Sequence, residues 1–266
     1  MRYPKILFLL LFFIGLVLIQ PATSKSSEGL FFTLESKDEF ADEMSLLIQK
    51  AWKKWQDTVL VSDIDVDGSR GLLLPGDIEG PVLTASSILK NFDRKGKPQE
   101  YIDCVRVVAG AVENGMRSWQ RGYSNEDLIF PQGDSCTFTL PPCNNVPVII
   151  GSGRSSGDNQ MTESALYNYM LYHTPRDAED ILIVFRASAE AISGCFVKWK
   201  NSCSIIGILA TGGIAPRPVP MGSGPGPVRG AKGHEGKLVG AYFDDSLMRG
   251  KMMEYFREHK NVALEF

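Results

Sequence analysis

The chain has 266 residues, 44% apolar and 22% charged, with a formal net charge of −3. This composition fits a globular protein and excludes the broad basic surface that nucleic acid or anionic lipid would require. The length suits one large domain or two small ones and is ample for a hydrophobic core.

The N-terminus reads as a secretory signal. Arg2 and Lys5 form a positive n-region, residues 6–19 an uncharged apolar run, and Ala22-Thr23-Ser24 a small-residue cleavage site. The run is shorter than the roughly twenty residues a membrane-spanning helix needs. The expectation is cleavage after Ser24, with membrane contact only if this segment stays uncleaved. Residues 25–266 then form the mature domain, in the periplasm or outside the cell. No Asn-x-Ser/Thr sequon occurs, which leans toward a bacterial envelope.

Residues 25–35 read as a leader or a short strand. Ser36 and Glu39 then spell a capping box, and Phe40, Met44, Leu47, Ile48, Ala51, Trp52 and Trp55 keep a helical period. A helix docked on the core is the simplest reading. Trp52 and Trp55 are also partner-binding candidates, because aromatics enrich at interfaces.

Residues 58–67 alternate like a strand and stop at Gly68. Asp63, Asp65 and Asp67 share one face, and Asp-x-Asp-x-Asp-Gly also opens calcium loops, where alternate carboxylates converge on a hard cation. The twelfth position is Leu74, where an EF-hand needs a bidentate Glu, and the flanks are strand-like. A solvated acidic face with no cofactor is expected, and calcium is the weaker candidate.

A Pro/Gly-punctuated connection over 71–83 leads to a short helix at 84–92. A second long helix over 100–119 carries the stripe Cys104, Val105, Val108, Val112, Met116 and Trp119. Residues 135–140 and 146–150 read as strands around a PPCNN turn. Five cysteines in an exported chain imply two disulfides, which short spacing assigns to Cys136–Cys143 and Cys195–Cys203, leaving Cys104 as a buried thiol. No CxxC or histidine cluster suggests a metal site.

Gly153-x-Ser155-x-Gly157 follows an apolar strand and precedes a helix at 162–173, as in the nucleophile elbow of serine hydrolases. Asp180 and His234 would complete a triad in the usual chain order, with Asp244 and His259 as a second pair. Against this, the Gly151–Gly157 run is longer than an elbow, and the repeated strand–helix alternation of such hydrolases is missing. A flexible loop is the leading reading of this run.

Residues 174–215 are the most apolar stretch outside the N-terminus. They read as a central helix capped near Thr174, with Arg186 and Glu190 one turn apart as an ion pair, followed by a core strand or short helix at 204–210. Residues 212–233 are so rich in Gly and Pro that they read as a loop. Ile214, Val219 and Met221 are partner-binding candidates in it, since pure linkers lack apolar residues. A strand at 237–243, a final helix at 246–260 capped by Asp245, and an apolar tail complete the chain.

The expected fold is a single α+β domain, about five helices on a small, mostly antiparallel sheet with local disulfides. The expected function is a non-enzymatic exported subunit or binding module, with a protein partner or as a homo-oligomer. A secreted serine hydrolase using Ser155 is the alternative.

Overall fold

A computed structural model describes residues 34–67, 72–73, 77–124, 149–150, 152–174, 179–216 and 225–259. The signal segment, Cys136, Cys143, Val219 and Met221 lie outside these residues. Six α-helices are described: α1 (Leu34–Gln56), α2 (Ala85–Ile88), α3 (Gln99–Arg121), α4 (Glu163–His173), α5 (Glu179–Ser202) and α6 (Asp245–Glu258). The strands are β1 (Leu60–Ser62), β2 (Ile64–Asp67), β3 (Leu72–Leu73), β4 (Asp77–Glu79), β5 (Tyr123–Ser124), β6 (Ile149–Ile150), β7 (Arg154–Ser155), β8 (Cys203–Ile206), β9 (Leu209–Pro216), β10 (Pro225–His234) and β11 (Gly236–Gly240). Every described pairing is antiparallel, so the fold is α+β, and residues 31–266 form one compact unit.

The periodicities explain the helices. The apolar stripes of α1 and α3 face inward, and α5 is buried along most of its length. All four tryptophans of the chain, Trp52, Trp55, Trp119 and Trp199, meet in one cluster, each at most 3% exposed. Trp52 and Trp55 come from the end of α1, Trp119 from the end of α3 and Trp199 from the end of α5. Their ring centroids lie 5.0 to 6.2 Å apart, mostly edge to face. Two buried glutamines connect this cluster to the strands. Trp199 Nε1 donates to Gln56 Oε1 (2.8 Å), whose amide donates to Leu238 O in β11 (3.5 Å). Trp55 Nε1 donates to Gln120 Oε1 (3.2 Å), whose amide reaches Gly80 O (3.2 Å) just past β4.

The strands form a five-stranded sheet A, in the order β4-β1-β11-β8-β6, and a four-stranded sheet B, in the order β3-β2-β10-β9. These are two halves of one creased sheet. Val61 faces Gly236 in A, and three residues on Ile64 faces Gly233 in B. Lys237 faces Ile206 in A, and His234 faces Leu209 in B. The register is therefore continuous across the break on both sides of the middle strand. Each of the three long strands turns at one left-handed residue: Asp63 (φ 53°), Gly207 (φ 74°) and Glu235 (φ 62°). Helix α3 meets β4 of sheet A, and Gln56 and Gln120 tie α1 and α3 to β11 and to the end of β4. Sheet B thus continues sheet A beyond the crease, as an arm of four strands.

Several expectations are corrected. The Gly/Pro stretch 212–233 is largely strand, and β10 lies inside its sheet. Its prolines are tolerated because Pro216 and Pro225 sit at strand ends, while register shifts between Pro225 and Val228 and between Arg229 and Lys232 absorb the remaining irregularity. Cys195 and Cys203 are free thiols. Helix α5 continues to Ser202, and at ~1.5 Å rise per residue it holds the two more than 10 Å apart, beyond disulfide reach.

Arg186 does not pair with Glu190. It lies 4.7 Å from the ring of Tyr167, and Glu190 faces Lys251 at 3.6 Å. Ser36 lies inside α1, which begins at Leu34, and Glu39 binds Lys97 (2.6 Å). Asp244, not Asp245, caps α6 by accepting from Leu247 N (2.9 Å).

Replacing Trp199 by Ala opens a cavity and strands the Gln56 carbonyl, a combination expected to cost about 3–5 kcal/mol. Urea denaturation followed by far-UV circular dichroism measures this, and a loss below about 1 kcal/mol would contradict the central role given to the cluster.

Candidate functional site

Ser155 lies in β7, which pairs with β5 so that Tyr123 faces Ser155. It is 8% exposed. Its Oγ donates to Trp119 O at 2.6 Å and accepts from Gly157 N at 2.9 Å. Both capacities of the hydroxyl are thus spent on closing a turn against the end of α3. The glycines of the motif have the same explanation. Gly153 is left-handed (φ 90°), and a Cβ on Gly157 would lie 2.3 Å from Ser118 O. Close packing of this segment on α3 accounts for Gly-x-Ser-x-Gly without a nucleophile.

The triad partners are not assembled. Asp180 is buried at the start of α5, where its charge acts on Cys104 near the beginning of α3. Ser155 contacts the other end of that helix, about 22 Å farther along its axis at ~1.5 Å per residue. His234 closes β10, opposite Leu209 in the arm. In the second pair, Asp244 caps α6 and binds Lys198 (2.8 Å), while His259 stacks on Tyr255 with its Nδ1 2.9 Å from Tyr255 O. Nothing here activates a serine.

The three described thiols, Cys104, Cys195 and Cys203, are buried. Burial pushes each up to about 12, aided at Cys104 by Asp180 and at Cys195 by Asp244. A thiol held there is almost wholly protonated at neutral pH and a poor nucleophile. Cys195 also lines a cavity of about 300 Å³ between α1, α5 and the segment before α6. The polar groups around that cavity already engage one another, Lys198 with Asp244 and Gln49 with Asp245 (2.6 Å).

Asp63 occupies the crease and is exposed, while Asp65 and Asp67 belong to β2. Lys232 stands opposite Asp65 in the register, a cross-strand placement of opposite charges. Among the described residues no three His, Cys, Asp or Glu side chains converge as a metal site. Trp52 and Trp55, proposed as surface contacts, are core residues. Ile214 lies in β9, opposite Val228. The feature that sequence reasoning missed is the arm itself. Its signal was present in the apolar residues interleaved with the glycines and prolines, of which Pro216 and Pro225 stand at strand ends and Pro227 falls at a register shift.

No family model, curated protein or solved structure matches this chain.

Three outcomes follow from this geometry. Ser155→Ala leaves the Gly157 N–H and the Trp119 carbonyl without their partner and is expected to lower stability by about 1–3 kcal/mol. A fluorophosphonate probe should leave wild-type Ser155 unlabelled, and stoichiometric labelling abolished by the substitution would reverse that assignment. Cys104, Cys195 and Cys203, with a thiolate fraction on the order of 10⁻⁴ at pH 8, should resist iodoacetamide in the native protein and react in denaturant. Mass mapping of the alkylated peptides reads this directly.

Proposed function

We propose that this protein is an exported, non-enzymatic binding or assembly module that engages a protein partner through its β arm. The reading is supported by sheet B: its four strands continue one creased sheet past the turn at Asp63, Gly207 and Glu235, and among the described residues the outer edges of β3 and β9 pair with no strand. Sheets gain stability by covering a face or pairing an edge, so an unpaired edge is suited to contact with another chain. The body offers a contrasting environment, with a committed serine hydroxyl and buried, protonated thiols. Export is supported by Arg2, Lys5, the apolar run at 6–19 and the Ala22-Thr23-Ser24 site. In an oxidising compartment, burial would also shield the three described thiols from exchange.

The test is native size. Gentle extraction from the protein's own cells, followed by crosslinking and gel filtration, is expected to give a species well above the 29.3 kDa of one chain. Recovery as a lone monomer with no crosslinked neighbour would overturn the reading.

A further inference from the structure

The cavity of about 300 Å³ between α1, α5 and the segment before α6 is at the lower end of the size range of small-molecule pockets. Ala241, Tyr242, Phe243 and Trp199 supply its apolar walls. Its polar groups are unevenly matched, because every side-chain donor that lines it has a protein acceptor. Lys198 Nζ donates to Asp244 Oδ2 (2.8 Å), Gln49 Nε2 to Asp245 Oδ1 (2.6 Å) and Cys195 Sγ to Asp244 O (3.5 Å). Ser202 Oγ donates to Trp199 O (3.1 Å), Tyr242 Oη to Asp57 Oδ1 (3.3 Å) and Trp199 Nε1 to Gln56 Oε1 (2.8 Å). Acceptors are left over. The hydroxyl oxygens of Ser202 and Tyr242 keep lone pairs after their protons are committed. The second carboxylate oxygen of Asp245 receives no hydrogen bond among the described residues.

The charges are uneven in the same direction. Lys198 neutralises Asp244 and holds its carboxyl below the usual carboxylate range. Lys53 and Asp57 beside Tyr242 cancel (3.2 Å), as do Lys251 and Glu190 near Cys195 (3.6 Å). Asp245 has only the neutral amide of Gln49. Surplus acceptors, one uncompensated carboxylate and aromatic walls together suit a ligand that brings hydrogen-bond donors and a positive charge.

We propose that this cavity binds one alkylammonium group, its N–H donors directed at Asp245 and at the Ser202 and Tyr242 oxygens, and its carbon chain against the apolar walls. The site involves no residue of sheet B and stands whether or not the arm engages a partner. A free amine and the lysine side chain of another chain present this same chemistry.

The test is an NMR shift titration of the purified full chain with n-butylammonium chloride at constant ionic strength. Saturable shifts centred on Ser202 and residues 241–246 are expected, with a dissociation constant below about 10 mM. The uncharged n-butanol should bind at least about 10-fold more weakly. Asp245→Asn removes the charge but leaves an oxygen for Gln49, and should weaken binding at least about 10-fold with far-UV circular dichroism unchanged. Lys198→Gln removes the competing cation and should tighten binding about 3-fold or more, a gain that misfolding cannot produce. Absence of saturable shifts, equal binding of n-butanol, or an Asp245→Asn variant that binds as the wild type does would overturn the proposal. On protein extracted from its own cells the two sources separate. Native mass spectrometry reads a free amine as retained mass, and a carbodiimide crosslink from Asp245 to another chain reads a lysine.

Discussion

Two buried amide–indole hydrogen bonds organise this molecule. An indole N–H buried without an acceptor is costly, and so is a buried carboxamide without partners. Gln56 and Gln120 address both at once, each accepting from a tryptophan and donating to backbone carbonyls in or beside the strands. Because Gln56 ends α1 and Gln120 lies near the end of α3, these bonds fix where two helices stop relative to β11 and β4. Edge-to-face contacts among the four indoles, each worth about 0.5–1.5 kcal/mol beyond simple burial, then hold α5 against both. Sheet A is tied to this cluster through β11 and β4, and sheet B continues it.

Much of this was legible in the sequence where a single element decides the pattern. The apolar stripes from Phe40 to Trp55 and from Val105 to Trp119 give α1 and α3 with little error, because helical period is a local property. The tryptophans show the limit. Trp52 and Trp55 look the same in a surface stripe and a core stripe, and only the arrival of Trp119 and Trp199 from distant helices makes them core. Cys195 and Cys203 misled for a related reason, since eight residues is a short spacing in a loop and a long one along a rigid helix. Arg186 and Glu190 are one turn apart as read, yet Tyr167 and Lys251 from neighbouring helices outcompete that local pair.

The Gly-x-Ser-x-Gly segment is a case in which one pattern serves two physical needs. A nucleophile elbow requires small residues because strand and helix crowd the serine. Here Gly157 is required because α3 crowds the turn, and Ser155 is retained because its hydroxyl satisfies one donor and one acceptor in that contact. Sequence alone cannot separate these, since both ask for the same residues at the same spacing. The hydroxyl's partners separate them. A serine that donates at 2.6 Å to a backbone carbonyl has no free proton to give a base.

The crease divides one sheet into two halves, A and B. Three neighbouring strands turning at one level, with register unbroken, cannot arise from an inserted residue in any single strand, which would shift the pairing on one side. The turn is instead distributed over Asp63, Gly207 and Glu235. Aspartate and glycine enter the left-handed region readily, but glutamate does so at a cost of about 1–2 kcal/mol. Such a conformation persists only where the surrounding hydrogen-bond ladders impose it, and Glu235 is flanked by paired residues in both β10 and β11. The bend is therefore a built feature of the sheet. Its effect is to turn β2, β9 and β10 away from the line of sheet A, with the uncharged β9 at the outer edge of sheet B.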